Sequence, residues 1–222
     1  DRANPLGPSA EGPRPEADRR SFLAFFDVPF VHGHTLAELL SRHVAPAIGE
    51  APYLVYPADV SLRATLGWSP PSPALPHPDA IAAYAALVLL EATNVSEGRS
   101  SSVSFRSISA RNLDAERLAR DIPDWNTGFR ALPGPVTPMR GPDAGTRLPG
   151  VTFWPTKAQH QSPLLLGIHL LAWLRDYHPD FVWLPGHDGS PGGAIDTLFG
   201  RSDLRQQLDA GLNASEIVDS WR

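Results

Sequence analysis

Proline limits this chain more than any other residue. Twenty-four of its 222 residues are proline, about twice the usual ~5% share. Each fixes its own φ, removes a backbone donor and disfavours helix in the residue before it. The chain is therefore expected to spend many residues in loops and extended segments. The densest cluster, five prolines in the eleven residues from Trp68 to Pro78, reads as an extended loop. A second Gly/Pro-rich stretch, Trp125 to Pro149, also reads as loop.

Between these stretches several elements announce themselves. Ser21 to Val31 is apolar with a Pro near its end and reads as a strand. Thr35 and Glu38 form a T-x-x-E capping box ahead of a helix from about Leu36 to His43. Tyr53 to Tyr56 is a short strand candidate, and Asp79 to Glu91 is an Ala- and Leu-rich helix pattern. The alternation from Val103 to Ile108 reads as a half-buried strand, and Asp114 to Arg120 as a short helix. Val151 to Trp154 is a further strand. Ser162-Pro163 opens the strongest helix, with Ser as N-cap and apolar positions through Tyr177. Ser202 caps another helix that ends at Gly211, and Asn213 with Glu216 starts a last one. Strands and helices without strict βαβ alternation point to an α+β fold with a mixed sheet.

Composition narrows the function classes. An apolar share of 42% is slightly low for a globular domain but far from the disordered range, and a chain of this length buries roughly 70% of its unfolded surface. The formal charge is −5, from 19 Lys and Arg against 24 Asp and Glu. With no basic block, the footprint of a nucleic-acid binder is absent. The longest apolar stretch, Leu164 to Leu174, is broken by His169 and is too short to span a bilayer. Cysteine is absent, which excludes disulfides, thiolate zinc sites and Cys nucleophiles. It fits an exported or a cytosolic protein alike. There is no G-x-S-x-G elbow, P-loop, G-x-G-x-x-G after a strand or H-E-x-x-H.

Three places could carry chemistry. The opening loop holds Asp1, Arg2, Asn4 and Glu11. It has the look of a site loop that follows a strand, so the chain is expected to be the back part of a longer protein. Cleaving a glycosidic bond needs one carboxylic acid to protonate the leaving oxygen and a second carboxylate opposite it. Glu11 suits the first role if burial raises its pKa; on composition alone a solvated place in a Gly/Pro loop is the commoner reading. The run Glu91-Ala-Thr-Asn94-Val-Ser96-Glu-Gly-Arg99 offers hydrogen-bonding groups for sugar hydroxyls and an Arg for a carboxylate, or a helix-end loop that satisfies its own backbone. His32 and His34 could meet a metal, but no accompanying His, Asp or Glu has ligand spacing, so His32 is expected to pack or hydrogen-bond at a strand end. His169 reads as a core residue, and His160, His178 and His187 as loop residues.

Taken in order, Asp1-Arg-Ala-Asn-Pro-Leu-Gly, Ala10-Glu-Gly-Pro, the segment from Ser21-Phe22 to His32-Gly-His-Thr-Leu-Ala-Glu38-Leu, Pro71-Ser-Pro and Glu91-Ala-Thr-Asn-Val-Ser-Glu-Gly-Arg99 resemble the exo-acting β-N-acetylmuramidases, bacterial peptidoglycan glycosidases. The Leu-rich helix, the aromatic Phe181-Val-Trp183, Asp196, Gly200 and the final Ala-Ser-Glu-Ile before Trp221 continue the likeness. The resemblance implies an N-terminal Rossmann-like domain, here missing, and a C-terminal α+β domain with the site in the cleft between them. Residues 1–20 would then be the last site loop of the first domain, and 21–222 the second domain.

It implies further that Glu11 is the catalytic carboxyl of this part, with its partner carboxylate in the absent half. Asp1, Arg2, Asn4, His32, Glu91, Asn94, Ser96 and Arg99 would bind a peptidoglycan-derived saccharide, releasing N-acetylmuramic acid from its non-reducing end. No cofactor or metal is implied, and the substrate implies an exported or periplasmic protein. A catalytically inactive saccharide-binding or structural relative is the alternative. It is prompted by departures from the family pattern, which has Gly at Pro8 and Ala92 and a Gly-Thr-Thr run where Ser100-Ser-Ser stands. Such changes strain a loop wherever the backbone needs φ > 0.

Overall fold

The computed structural model describes residues 4–49, 70–156 and 161–221. A helical segment comes first: α1 (Leu36–Leu39) runs through a π-helical turn (Leu40–Val44) into α2 (Ala45–Ile48). The expected capping box is formed, with the side chains of Thr35 and Glu38 each accepting from the other's backbone N–H. Next come α3 (Pro78–Leu87), extended by a 3-10 turn to Ala92, β1 (Ser107–Ser109) and α4 (Ala115–Asp121). Then β2 (Phe129–Val136) and β3 (Leu148–Pro155) precede α5 (Pro163–Tyr177), α6 (Gly193–Phe199), α7 (Asp203–Asp209) and α8 (Ala214–Asp219). The α+β class stands. The described strands make one three-stranded antiparallel sheet, in the order β1-β3-β2, rather than a mixed one.

The core sits where α3 and α5 cross, with the sheet and α4 to one side and α6 to α8 to the other. α5 buries Leu164, Leu166, Ile168, Leu170, Leu171 and Leu174, each contributing on the order of 2 kcal/mol by leaving water. The Ala-rich face of α3 lets the two helices come close. A Cβ on Gly167 would stand 3.0 Å from the Cα and carbonyl oxygen of Ala86, so α5 needs a glycine at that crossing.

Four expectations from the sequence are corrected. Ser21 to Val31 is a series of bends, not a strand; only Val31 pairs, as an isolated bridge to Glu11. Phe22, Leu23 and Phe25 face solvent while Ala24, Phe30 and Val31 turn inward, so burial does not alternate, and Pro29 removes a ladder donor. The strand placed at Val103 to Ile108 begins later and is buried throughout; residues 102–106 turn instead, with Phe105 at φ +49°. The stretch read as loop, Trp125 to Pro149, holds β2 and the start of β3. Last, Ser162 and Ser202 precede their helices without capping them by side-chain bonds. The Tyr53 to Tyr56 strand lies outside the described residues.

Geometry explains how β2 carries two prolines. Phe153 donates to Arg106 and Pro149 accepts from Ala110, so the odd-numbered residues of β3 address β1. Their partners in β2, Pro133 and Pro135 opposite Val151 and Pro149, therefore turn their nitrogens to the outer edge. No ladder bond is lost there. Local composition signalled a loop, whereas pairing makes these residues an edge strand.

Candidate functional site

Asn4 fastens the opening loop to the start of α1. Its Oδ1 accepts from the Leu6 N–H at 2.9 Å, and its Nδ2 donates to the carbonyls of His32 and His34. Gly33 lies so close beneath this loop that a Cβ would stand 1.9 Å from the Pro8 carbonyl oxygen. The half-buried His32 stacks on His34 with ring centroids 6.3 Å apart. Burial first, and then the neighbouring imidazole, hold the His32 pKa below its usual value. Among the described residues no three His, Asp or Glu converge as metal ligands.

Glu11 is held from both sides. Its N–H and C=O pair with those of Val31 at 2.9 Å each. Its carboxylate reaches the start of α5, where Oε2 accepts from Leu164 N–H at 3.0 Å and the Ser162 side chain hydrogen-bonds it. Pro163 has no N–H, so Leu164 offers the first free donor of that helix. Glu11 thus does the capping that was expected of Ser162. Two effects compete on its charge. The helix terminus and its hydrogen bonds favour the carboxylate; burial favours the neutral acid, and burial wins, raising the pKa. This is the condition under which a carboxyl can give up a proton near neutral pH.

Glu11 also lies between two cavities. One, of about 230 Å³, is lined by Pro5, Leu6, Ser9, Val31, Ile81 and Gln161 among others. The second, of about 310 Å³, lies against Gly12, Ser162, Leu165, Val218 and Trp221. Gln161, Ser162 and Trp221 were not singled out as site residues from the sequence. Ser162-Pro163 was visible there only as a helix start.

The second cluster is organised around Arg99. Its Nη2 meets the Glu91 carboxylate, its Nε reaches Glu97 at 3.3 Å, and its guanidinium lies 4.9 Å over the Phe105 ring. Two carboxylates and an aromatic face thus already engage this cation. Burial, the largest influence, pushes the Glu97 carboxyl up against the opposing pull of its own backbone N–H and of Arg140. Glu97 therefore joins Glu11 as a carboxyl of raised pKa, and it was missed as a separate candidate. The signal was its place inside the Ser96-Glu-Gly-Arg99 run.

Asn94 donates to the Asp180 carbonyl at 2.6 Å and accepts from Val182 N–H at 3.0 Å. Ser96 exchanges backbone bonds with Ser109 at 3.0 Å, and its hydroxyl accepts from Gly98 at 3.2 Å. Neither cavity beside Glu11 is lined by Glu91, Asn94, Ser96 or Arg99. The structure therefore brings together Asn4, Glu11 and His32 in one place and Glu91 to Arg99 in another. Asp1 and Arg2 lie outside the described residues. Of the family glycines replaced here, Pro8 and Ala92 have no positive φ, whereas Ser100 sits at φ +69°.

Comparison with known proteins completes the picture. The chain is 28% identical over 232 residues to the peptidoglycan beta-N-acetylmuramidase NamZ of Bacillus subtilis (strain 168). The match takes in all of this chain but 54% of that relative, so the chain spans about half of the relative's length. Two solved DUF1343 family proteins from Bacteroides fragilis NCTC 9343 share the fold. One has a TM-score of 0.78 at 21% identity, the other 0.56 at 24%; each comparison covers the whole of this chain and 60% of the other. The family described as "Exo-beta-N-acetylmuramidase NamZ, C-terminal" matches residues 82–222. With that match over more than half its length, the chain belongs to the NamZ family as its C-terminal part.

Proposed function

We propose that this chain is part of an exported or periplasmic glycosidase that releases N-acetylmuramic acid from the non-reducing end of peptidoglycan fragments. The observation that carries the proposal is the Glu11 carboxyl: anchored at the N-terminus of α5, raised in pKa by burial, and bordered by two cavities. In this role Glu11 protonates the glycosidic oxygen. A second carboxylate, in the part of the longer protein beyond this chain, stands across the sugar. The Asn4 tie positions the loop, and Arg2 meets the lactyl carboxylate, since Arg99 is held by Glu91 and Glu97 away from the Glu11 cavities. Family membership and the name of the Bacillus subtilis relative support the substrate class.

The capping bond from Glu11 to Leu164 favours a second reading. A carboxylate engaged in holding a helix terminus can have a structural reason to be there, and the protein then binds saccharide without cleaving it. Two measurements separate the readings: hydrolysis of a chromogenic N-acetylmuramic acid glycoside by the complete protein, and calorimetry with muropeptides. Glu11→Gln keeps an oxygen that can accept from Leu164 but cannot donate an acidic proton. Turnover that falls by about 10²–10⁴-fold in this variant, with its fold intact, supports catalysis. Muropeptide binding without turnover by the wild type supports the second reading and ends the first. The 222-residue chain alone is expected to show no turnover, because it supplies one side of the cleft.

A further inference from the structure

The apolar side chains of this protein are unevenly distributed. One continuous core takes in nearly all the buried ones from residue 80 onward together with Val31. Ahead of residue 80, Val31, Ala24 and Ala45 are the buried apolar residues among those described. The same region leaves large side chains in solvent: Phe22 is 95% exposed, Phe25 62%, Leu36 52% and Ile48 58%, with Leu23 and Leu40 also exposed. Isolated exposed hydrophobics are ordinary; a concentration of them within 27 residues marks a contact surface.

Two segments join to make this surface. Leu36, Leu40, Val44 and Ile48 recur every fourth position through α1, the π-turn and α2, which puts them along one stripe of a helical segment. Among its described side chains that segment buries one apolar residue, Ala45, and it makes no substantial contact with any other described element. Beside it, Phe26 meets His43 in a tilted contact at 5.3 Å and Phe25 edge-on at 5.2 Å, which places the exposed Phe22 and Phe25 next to the helix. A capped helix whose apolar stripe no other described element covers is half of a packing unit, since the stability of short helices comes from tertiary burial of that stripe.

We propose that the face formed by Phe22, Phe25, Leu36, Leu40 and Ile48 is the seam on which the remaining part of the longer family protein packs. Two observations name this occupant. Relatives of this chain carry a further two-fifths or more of their length outside the match, because the chain covers 54% of the curated relative and 60% of the solved ones. The family's C-terminal match begins at residue 82, so every residue of the exposed face lies ahead of the part that defines the C-terminal unit. The seam also borders the site, since His32 and His34, which Asn4 binds, stand between its two segments. This inference is independent of any catalytic role for Glu11.

Hydrogen exchange tests it, comparing the 222-residue chain with the product of the complete reading frame that encodes it. The amides of residues 22–26 and 36–48 are expected to exchange at least about tenfold more slowly in the complete product, as burial of a frayed element predicts. Phe25→Asp and Leu40→Asp provide a second readout. They should lower the melting temperature of the complete product by about 4 °C or more and leave that of the 222-residue chain almost unchanged. Equal protection in the two forms overturns the proposal, because cover then comes from within this chain. Protection that rises with the concentration of the 222-residue chain overturns it in favour of a second copy. A reading frame that adds no further domain overturns it outright.

Discussion

The Glu11 carboxylate accepts the backbone N–H of Leu164 at 3.0 Å, closing a link across 153 residues of chain. Through it the opening loop is tied to the longest described helix of the core, and the ionisation of one carboxyl is tied to stability. Because burial raises the Glu11 pKa, the folded state holds its proton more tightly than the unfolded chain does. Stability from this group is therefore greatest below the unfolded pKa and falls as pH rises through the folded one. Glu11→Gln should remove that dependence. Its melting temperature relative to wild type should rise between pH 4 and pH 7, while Glu11→Ala, which loses the cap, should cost about 1 kcal/mol. Thermal unfolding of the three proteins across this pH range checks both statements.

His169 works in the opposite direction. It lies flat against Trp125, with ring centroids 5.1 Å apart and an interplanar angle of 8°. Burial lowers its pKa to about 4. The neutral ring is the folded form, so its stabilisation is present above the unfolded value of 6.5 and is lost as pH falls toward 4. The buried His178, whose two ring nitrogens have no partner, shifts in the same sense. In His169→Phe the stacking is kept and the proton is not. Urea midpoints at pH 5 and pH 7 should lie closer together in that variant than in wild type.

Gly33 makes a sharper structural prediction. In Gly33→Ala the new methyl would stand 1.9 Å from the Pro8 carbonyl oxygen, a contact with backbone that no rotamer can relieve. The loop must lift and the Asn4 bonds to His32 and His34 must stretch. A loss of roughly 1–3 kcal/mol, the usual cost of overpacking, should appear as a lower denaturant midpoint. Amide exchange should accelerate at residues 4–11 and leave the α3–α5 core unaffected.

Ser100 offers a change in the other direction. Its left-handed backbone, φ +69°, costs an L-residue about 1–2 kcal/mol. Glycine removes that strain but adds about 0.5–1 kcal/mol of chain entropy to the unfolded state. The first effect is the larger, so Ser100→Gly should stabilise by about 0.5 kcal/mol. A small rise in melting temperature checks it, and a fall would show that the hydroxyl has a role its geometry does not reveal.

What the sequence made legible follows from how local each signal is. The Thr35–Glu38 and Asn213–Glu216 boxes are complete within four residues, and both were found where expected. α5 was readable from Pro163 onward because its apolar run and its starting proline are contiguous. Its actual cap was not, because Glu11 comes from 153 residues away. β2 was hidden for a related reason. Pro133 and Pro135 argue for a loop until pairing with β3 shows which way their nitrogens point. Ser21 to Val31 misled through composition, since Phe22 and Phe25 are apolar yet face solvent, and only Phe30 packs on this chain's own core. For the site, the carboxyl at position 11 was one candidate of the opening loop, and the resemblance to the muramidases raised it above the others. The division of the remaining candidates between two clusters could come only from the fold.

The two outward prolines of β2 also govern how this protein behaves in a crowd. A bare strand edge invites the same edge of another molecule to join it, and repeated joining builds fibres. On this edge two successive outward donors are absent, so a visiting strand would find gaps where its carbonyls need partners. On the far side of the sheet, Ser96 already bonds Ser109 of β1. Chains released by proteolysis, or waiting unfinished during synthesis, are thus denied a template for stacking, and their larger contacts must be made by side chains instead.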